Sequence, residues 1–272
     1  MAKHSEQIVA RDADYDNSAA VPDAERFIPL WEDEARVFRD SMGDRARLGI
    51  PYGATAREKL DLFLPDGAPD GLMVFVHGGY WRSRHRHDWS HFAEGALGRG
   101  YAVAIPSYSL APEARISRIT LQIAQAVRVA AAEVAGGPIR LAGHSAGGHL
   151  VARMLCADPM LPASVAKRLA HVLPISPVSD LRPLVGLSMN GDLKLTAEEA
   201  AMESPILCEV VHRAPVTVWV GGAELPAFQN QAQWLSEAWD ARIVVDEGRH
   251  HFDVIDGLRA PDSPMLKALF DA

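Results

Sequence analysis

The chain is short of cysteine, of positive charge and of long apolar runs. Only Cys156 and Cys208 occur in 272 residues. Neither stands in a CxxC pair or in a Cys/His array with zinc spacing, which excludes a disulfide-stapled miniature fold and a structural zinc framework. Lys and Arg number 27 against 35 Asp and Glu, a formal charge of −8. A nucleic-acid binder needs a basic face to neutralise phosphates, and an anionic membrane selects for one too, so neither partner is expected. No run of about 18 apolar residues marks a membrane span. The opening stretch, MAKHSEQIVARDADYDNSAA, is polar and has no apolar core of a secretory signal. Two reduced, buried thiols and a cytoplasmic address are therefore expected.

What is present describes an ordinary globular protein: 48% hydrophobic residues and a mean hydropathy of −0.03. The length suits one large α/β domain. Residues 1–21 read as a loosely held arm and 22–272 as a single domain without internal repeats. PDAERFIPLWEDEARVFRDSM has helical periodicity, with Phe27, Leu30, Trp31 and Val37 on one apolar face.

Short apolar runs follow: ARLGIPY, KLDLFLP, LMVFVHG, AVAIPSY, IRLAGH, LAHVLPIS, PVTVWVGG and ARIVVDEG. From LMVFV onward they are almost continuously apolar, the pattern of strands covered on both faces in a parallel sheet. Helix-like segments such as ISRITLQIAQAVRVAAAEVAGG and PAFQNQAQWLSEAWD alternate with them, which implies a doubly wound α/β sheet. The first two runs, joined by GATARE, are expected as an antiparallel hairpin at the sheet edge. Asp180 to Arg213 is richer in turns and charge and reads as an insertion, with Thr196 to Glu199 as a capping box. Trp234 and Trp239 read as a homodimer interface or, with Leu235 and Trp239 at i and i+4, as a core-facing stripe.

The chemistry-bearing stretch is IRLAGHSAGGHL. Gly143-x-Ser145-x-Gly147 follows a strand and opens a helix, the context of a nucleophile elbow. There the tight turn lifts the hydroxyl clear, and the Ala146 N–H at the helix start faces a developing oxyanion. A second strand, VFVHGGYW, runs into His77-Gly78-Gly79, whose glycine backbone suits the second oxyanion donor. A base and an acid must follow the serine, the acid first. His250 and His251 both follow the last strand, while Glu224 and Asp180 follow earlier ones; Asp180 also reads as a turn cap. His149 is expected to pack at the elbow, and His171 and His212 to lie at the surface. RHRHDWSH offers His85, His87 and His91, but no carboxylate or cysteine completes a metal set. A solvated basic helix start is expected there, and no metal or cofactor is required.

HGGYW and GHSAGGHL, with YSLAPEARI, SPVSDLRPL, and GGAELPAFQNQ leading to HHF, resemble the kynurenine formamidase (arylformamidase) group. The resemblance runs from about Pro22 to Leu266 and takes in Tyr52-Gly53 and LDLFLP. That group has the α/β-hydrolase fold and stands close to the hormone-sensitive-lipase-like esterases. The resemblance implies an α/β architecture with an eight-stranded, mostly parallel sheet and a small cap-like insertion. It implies Ser145 as nucleophile, Gly78, Gly79 and Ala146 as oxyanion donors, His251 as base and Glu224 as acid, where the group usually has aspartate. It also implies Tyr80 and Trp81 as walls of an acyl or aryl pocket. The substrate expected is a small acyl compound, either an N-formyl aryl amide such as N-formylkynurenine or a short-chain carboxylic ester. A non-catalytic, ligand-binding homologue is the alternative of another class.

Overall fold

Each of the eight apolar runs forms a strand in the computed structural model, which describes residues 10–159 and 161–271. In chain order they are β1 (Ala46–Pro51), β2 (Lys59–Phe63), β3 (Gly71–Val76), β4 (Tyr101–Pro106), β5 (Ile139–His144), β6 (Leu169–Ile175), β7 (Thr217–Gly221) and β8 (Arg242–Asp246). They join one sheet in the order β1-β2-β4-β3-β5-β6-β7-β8. β1 and β2 form the expected antiparallel edge hairpin, β2 runs antiparallel to β4, and the remaining pairs are parallel.

All six residues of β3 are buried, because alternate side chains enter different layers. Leu72, Val74 and Val76 pack with Ile119, Ile123 and Val127 of the helix Ile116–Glu133. Met73 and Phe75 join Phe27, Trp31 and Phe38 of the helix Phe27–Met42 and Leu266 of the helix Pro264–Phe270. Each such side chain contributes about 1.5–3 kcal/mol on burial. Two layers of helices thus hold the carboxyl ends of β3, β5, β7 and β8 at one rim, where the site forms.

Several expectations need correction. The buried stripe of Phe27–Met42 is Phe27, Trp31, Ala35, Phe38 and Met42, while Leu30 and Val37 are exposed. At about 100° per residue those two fall well outside the stripe. Of the supposed arm, residues 1–9 lie outside the described residues, but Tyr15, Asn17 and Val21 are buried. The Tyr15 carbonyl accepts from Tyr80 OH at 2.7 Å, and its hydroxyl accepts from Gln231 Nε2 at 3.0 Å. The RHRHDWSH segment is not a solvated start, since buried Arg86 donates to buried Asp61 at 2.7 Å and His91 is buried too. His171 is buried against Thr217 Oγ1 at 3.0 Å, because β6 is flanked on both sides. Trp234 and Trp239 are half-buried, and Trp239 Nε1 donates to Pro205 O at 3.2 Å.

Between β6 and β7 the segment carries short helical turns at Arg182–Gly186, Asn190–Leu193, Ala197–Met202 and Pro205–Leu207. Thr196 Oγ1 caps the third by accepting from Glu199 N at 3.1 Å. Glu199 does not complete the box; its carboxylate accepts from Ser117 Oγ at 2.8 Å and pairs with Arg115, tying this segment to the helix Ile116–Glu133. No helix among the described residues is long and apolar enough to cross a membrane.

The two cysteines are paired rather than reduced: Cys156 and Cys208 form a disulfide with Cα atoms 5.9 Å apart. It joins the chain after the helix Ala146–Arg153 to the chain leaving the insertion. The pairing overturns the expectation of two reduced thiols. With a sequence separation of 52, loop closure makes the bridge worth about 4 kcal/mol. Urea unfolding with and without reductant is expected to show a lower midpoint for the reduced chain, and a peptide map should recover the linked pair. Identical midpoints and free thiols would count against the bridge.

Candidate active site

β5 ends at His144 and the helix Ala146–Arg153 begins two residues later, so Ser145 must turn the chain alone. Its φ of 55° and ψ of −117° lie where side-chain-bearing residues are rare. The cause is the approach of the helix to the sheet. A Cβ on Gly147 would stand 1.9 Å from Val76 O, so only glycine admits the helix at this depth. Ser145 N donates to Ile175 O at 2.8 Å, and Ser145 O accepts from His149 N at 3.1 Å. The hydroxyl therefore stands on a fixed turn at a helix start.

β3 delivers the second element. His77 is buried, with its ring stacked on Tyr108 at 4.5 Å and parallel to Trp89 at 6.1 Å. Burial pulls its pKa down to about 3, so the ring is neutral and Nδ1–H donates to Gly78 O at 2.7 Å. Tyr108 OH donates to His77 O at 2.9 Å. This fixes the glycine loop against the elbow: a Cβ on Gly78 would lie 3.1 Å from Ser145 Cβ. Gly79 follows with φ 109°, beyond the comfortable range of other residues.

The third element comes from β7 and β8. His251 Nδ1 lies 2.6 Å from Glu224 Oε2. Oε1 of the same buried carboxylate accepts from Gly221 N at 2.8 Å and from Ser176 Oγ. His144 Nε2 donates to His251 O at 2.9 Å; burial, then the neighbouring His251, push its pKa well down and keep it neutral. Phe228 packs its ring 4.3 Å from that of His251.

Ser145, His251, His144 and Gly79 share a cavity of about 80 Å³. Ile28, Trp31, Trp89 and Phe252 supply its apolar wall, and Asn17 and Arg84 its polar members. The structure thus brings Ser145, Glu224 and His251 together, with Gly78 and Ala146 beside the serine. Asp180 stays apart, capping Arg182 N at 3.0 Å and pairing with the Arg182 guanidinium at 2.7 Å. His250 is outside as well, packed edge-on against Phe27 at 5.2 Å. Neither Tyr80 nor Trp81 lines this cavity. Trp81 is wholly buried in the core, edge-on to His149 at 5.1 Å, and the Tyr80 hydroxyl is engaged with Tyr15. The backbone at both residues is left-handed (φ 48° and 55°).

Sequence reasoning missed Ser176, Asn17, Arg84, Trp31 and Trp89. Ser176 opens the stretch SPVSDLRPL, but nothing in that pattern marks it as a partner of the acid, and its φ of 47° is visible only in the fold. Among the described residues no cluster of three or more His, Cys, Asp or Glu has the arrangement of a metal site.

A serine on a strained strand-to-helix turn, beside a glycine loop and an imidazole held by a carboxylate, is the equipment of a nucleophilic hydrolase. Residues 73–234 match the family defined by the alpha/beta hydrolase fold, and the chain belongs to that family. It is 30% identical over 224 residues to the kynurenine formamidase of Danio rerio, covering 78% of this chain and 76% of the relative. With the kynurenine formamidase of Drosophila melanogaster it shares 27% over 271 residues, covering 90% and 87%. The chain is thus a kynurenine formamidase-like α/β-hydrolase, and a hydrolytic enzyme. A crystal structure from Silicibacter sp. TM1040, provisionally named a thioesterase, superposes with a TM-score of 0.93 at 54% identity over 96% of this chain and 98% of that one.

His77, His144 and His149 are all held neutral by burial, His149 at about 3 while its Nε2 donates to Glu203 O at 2.7 Å. Unfolding releases them to protonate near the ordinary value of about 6.5. The unfolded chain then binds more protons, so stability falls as pH drops below about 6.5, continuing toward the folded values. His149→Gln removes one such group. Its unfolding free energy is expected to fall less steeply between about pH 6 and about pH 4.5, by about 1 kcal/mol per pH unit. Denaturant titrations across that range check this; parallel slopes would mean that His149 is already protonated in the fold.

Proposed function

We propose that the enzyme hydrolyses a small acyl amide of the N-formyl aryl type, with Ser145 as nucleophile, His251 as base and Glu224 as the group that holds it. His251 takes the Ser145 proton as the hydroxyl oxygen bonds to the acyl carbon. The resulting oxyanion is met by N–H groups of Gly78 or Gly79 and of Ala146, each worth about 3 kcal/mol. Glu224 keeps Nδ1 protonated and stabilises the imidazolium, which passes its proton to the departing aryl amine. Water then attacks the acyl-serine by the same route and releases the acid.

The observation that carries this reading is the size of the cavity at Ser145, about 80 Å³ with Trp31, Trp89, Phe252 and Ile28 around it. Bulky walls beside the serine favour the smallest acyl group, and the aromatic faces suit an aryl leaving group. The names of the Danio rerio and Drosophila melanogaster relatives agree with it. Glutamate in place of aspartate is accommodated because Gly221 N and Ser176 Oγ hold Oε1 and leave Oε2 for His251. A second reading, hydrolysis of a short-acyl thioester, is favoured by the name given to the 54% identical structure.

The deciding assay sets N-formylkynurenine beside p-nitrophenyl esters of rising acyl length and a short-acyl thioester. The formamide is expected to give the highest kcat/KM, with Ser145→Ala lowering kcat by ~10⁴-fold or more. A thioester or ester turned over best would transfer the assignment to that class. Failure of a fluorophosphonate to label Ser145 would favour a non-catalytic homologue.

Ser176→Ala tests the support of the acid. It removes one hydrogen bond to a buried carboxylate, an interaction worth about 1.5–3 kcal/mol. Expected is a loss of about tenfold or more in kcat with KM nearly unchanged; full activity would show that Gly221 N alone suffices.

A further inference from the structure

The Cys156–Cys208 bridge takes no part in the chemistry above. Cys156 follows the elbow helix Ala146–Arg153 and is wholly buried. Cys208 is half-buried and lines an open groove of about 690 Å³. Val216, which also lines it, immediately precedes β7, so the groove opens at the amino ends of the strands, the rim opposite Ser145. No residue lines both this groove and the Ser145 cavity.

The two sulfurs differ in access. Thiol–disulfide exchange requires a thiolate to reach one sulfur, and burial shields a sulfur from it. Only Cys208 meets the groove, so attack there expels Cys156 as the leaving thiolate. The chain on either side stays paired when the sulfurs part. Cys156 and Val210 face each other across an isolated antiparallel bridge. Ala157 N donates to Glu209 O at 3.1 Å, and Val211 N donates to Leu155 O at 2.9 Å. A thiol held beside its former partner acts at high effective concentration, so Cys156 is placed to close the bridge again. The groove also has a bias in charge. Arg213 is the one permanent cation among the residues that line it, against the carboxylates of Glu237 and Asp240. Exposed Glu209 adjoins Cys208 in the chain. A small cationic thiol suits this surface, while an anionic one meets repulsion.

We propose that Cys208 is a reversible modification site, at which a small aminothiol opens the bridge from the groove. The incoming thiolate sulfur bonds to Cys208 Sγ as the bond between the two cysteine sulfurs breaks. The electron pair of that bond goes to Cys156 Sγ, which takes up a proton. The product carries a mixed disulfide on Cys208 and a free thiol at Cys156, and no further oxidant or reductant is consumed. In the reverse step the Cys156 thiolate attacks Cys208 Sγ and releases the aminothiol. Nothing in this exchange depends on the reaction at Ser145.

For the test, the full oxidised chain is treated with cysteamine, 2-mercaptoethanol or 3-mercaptopropionate, quenched in acid and mapped by mass spectrometry. Each rate is divided by that of the same thiol on hydroxyethyl disulfide, which cancels differences in thiol acidity. The mixed disulfide is expected on Cys208, with Cys156 free. The normalised rate for cysteamine should exceed that for mercaptopropionate by ~5-fold or more at low salt and converge with it at high salt. Glu209→Gln combined with Asp240→Asn should bring the ratio toward one. Removal of the thiol should return the bridge and clear the adduct.

A second arm uses single cysteines and cystamine as the disulfide donor. Cys156→Ser, which keeps Cys208, should be labelled ~10-fold or more faster than Cys208→Ser, which keeps the buried sulfur. An adduct on Cys156, no adduct at all, or an adduct that persists after the thiol is removed would overturn the proposal. So would equal normalised rates for the three thiols, or a chain isolated with both thiols free.

Discussion

At position 147 there is no room for a side chain, because Val76 O would lie 1.9 Å from a Cβ there. That contact sets the depth at which the helix Ala146–Arg153 rests on β3, and the rest of the site is arranged around it. With the helix so close to the strand end, Ser145 alone makes the turn and accepts a backbone conformation costing about 1–3 kcal/mol. The strain persists because its surroundings are over-determined. Ser145 N is bonded to Ile175 O, the helix is buried along its length, and β3 is covered on both faces. A looser helix would relax the serine and withdraw it from the glycine loop.

Three neutral imidazoles then hold the loops that converge on this turn. His77 bonds Gly78 O beside the serine, His144 bonds the carbonyl of His251, and His149 bonds the carbonyl of Glu203 in the segment between β6 and β7. Each pins a loop from the sheet or from the elbow helix without placing a charge in the interior. Lysine or arginine in these positions would require a buried counter-ion, whereas neutral histidine supplies a directional donor of moderate desolvation cost. His251 differs in being tied to a carboxylate, and Phe228 packs against its ring.

Much of this was legible in the sequence because it is locally encoded. Eight apolar runs, the glycines about Ser145, the His77-Gly78-Gly79 loop and the ends of the strands bearing Glu224 and His251 each occupy a few consecutive residues. What was not legible depends on contacts between remote residues. Tyr15 meets Gln231, Arg86 meets Asp61, and Ser176 meets Glu224, pairings that no local pattern announces. The polar composition of residues 10–21 concealed Tyr15 and Val21, whose burial depends on a surface assembled from later parts of the chain. Tyr80 and Trp81 adjoin the glycine loop in sequence, yet neither lines the Ser145 cavity. The pairing of Cys156 with Cys208 likewise required the insertion to fold back, which no spacing announces.

The site's parts are also spread in time. Ser145 follows the fifth strand, while Glu224 and His251 follow the seventh and eighth. A chain still being synthesised therefore presents the Ser145 turn well before it contains His251, the base of the proposed mechanism. On the proposed mechanism, the order in which the ribosome delivers the strands leaves the serine turn without its imidazole until the chain has passed the last strand.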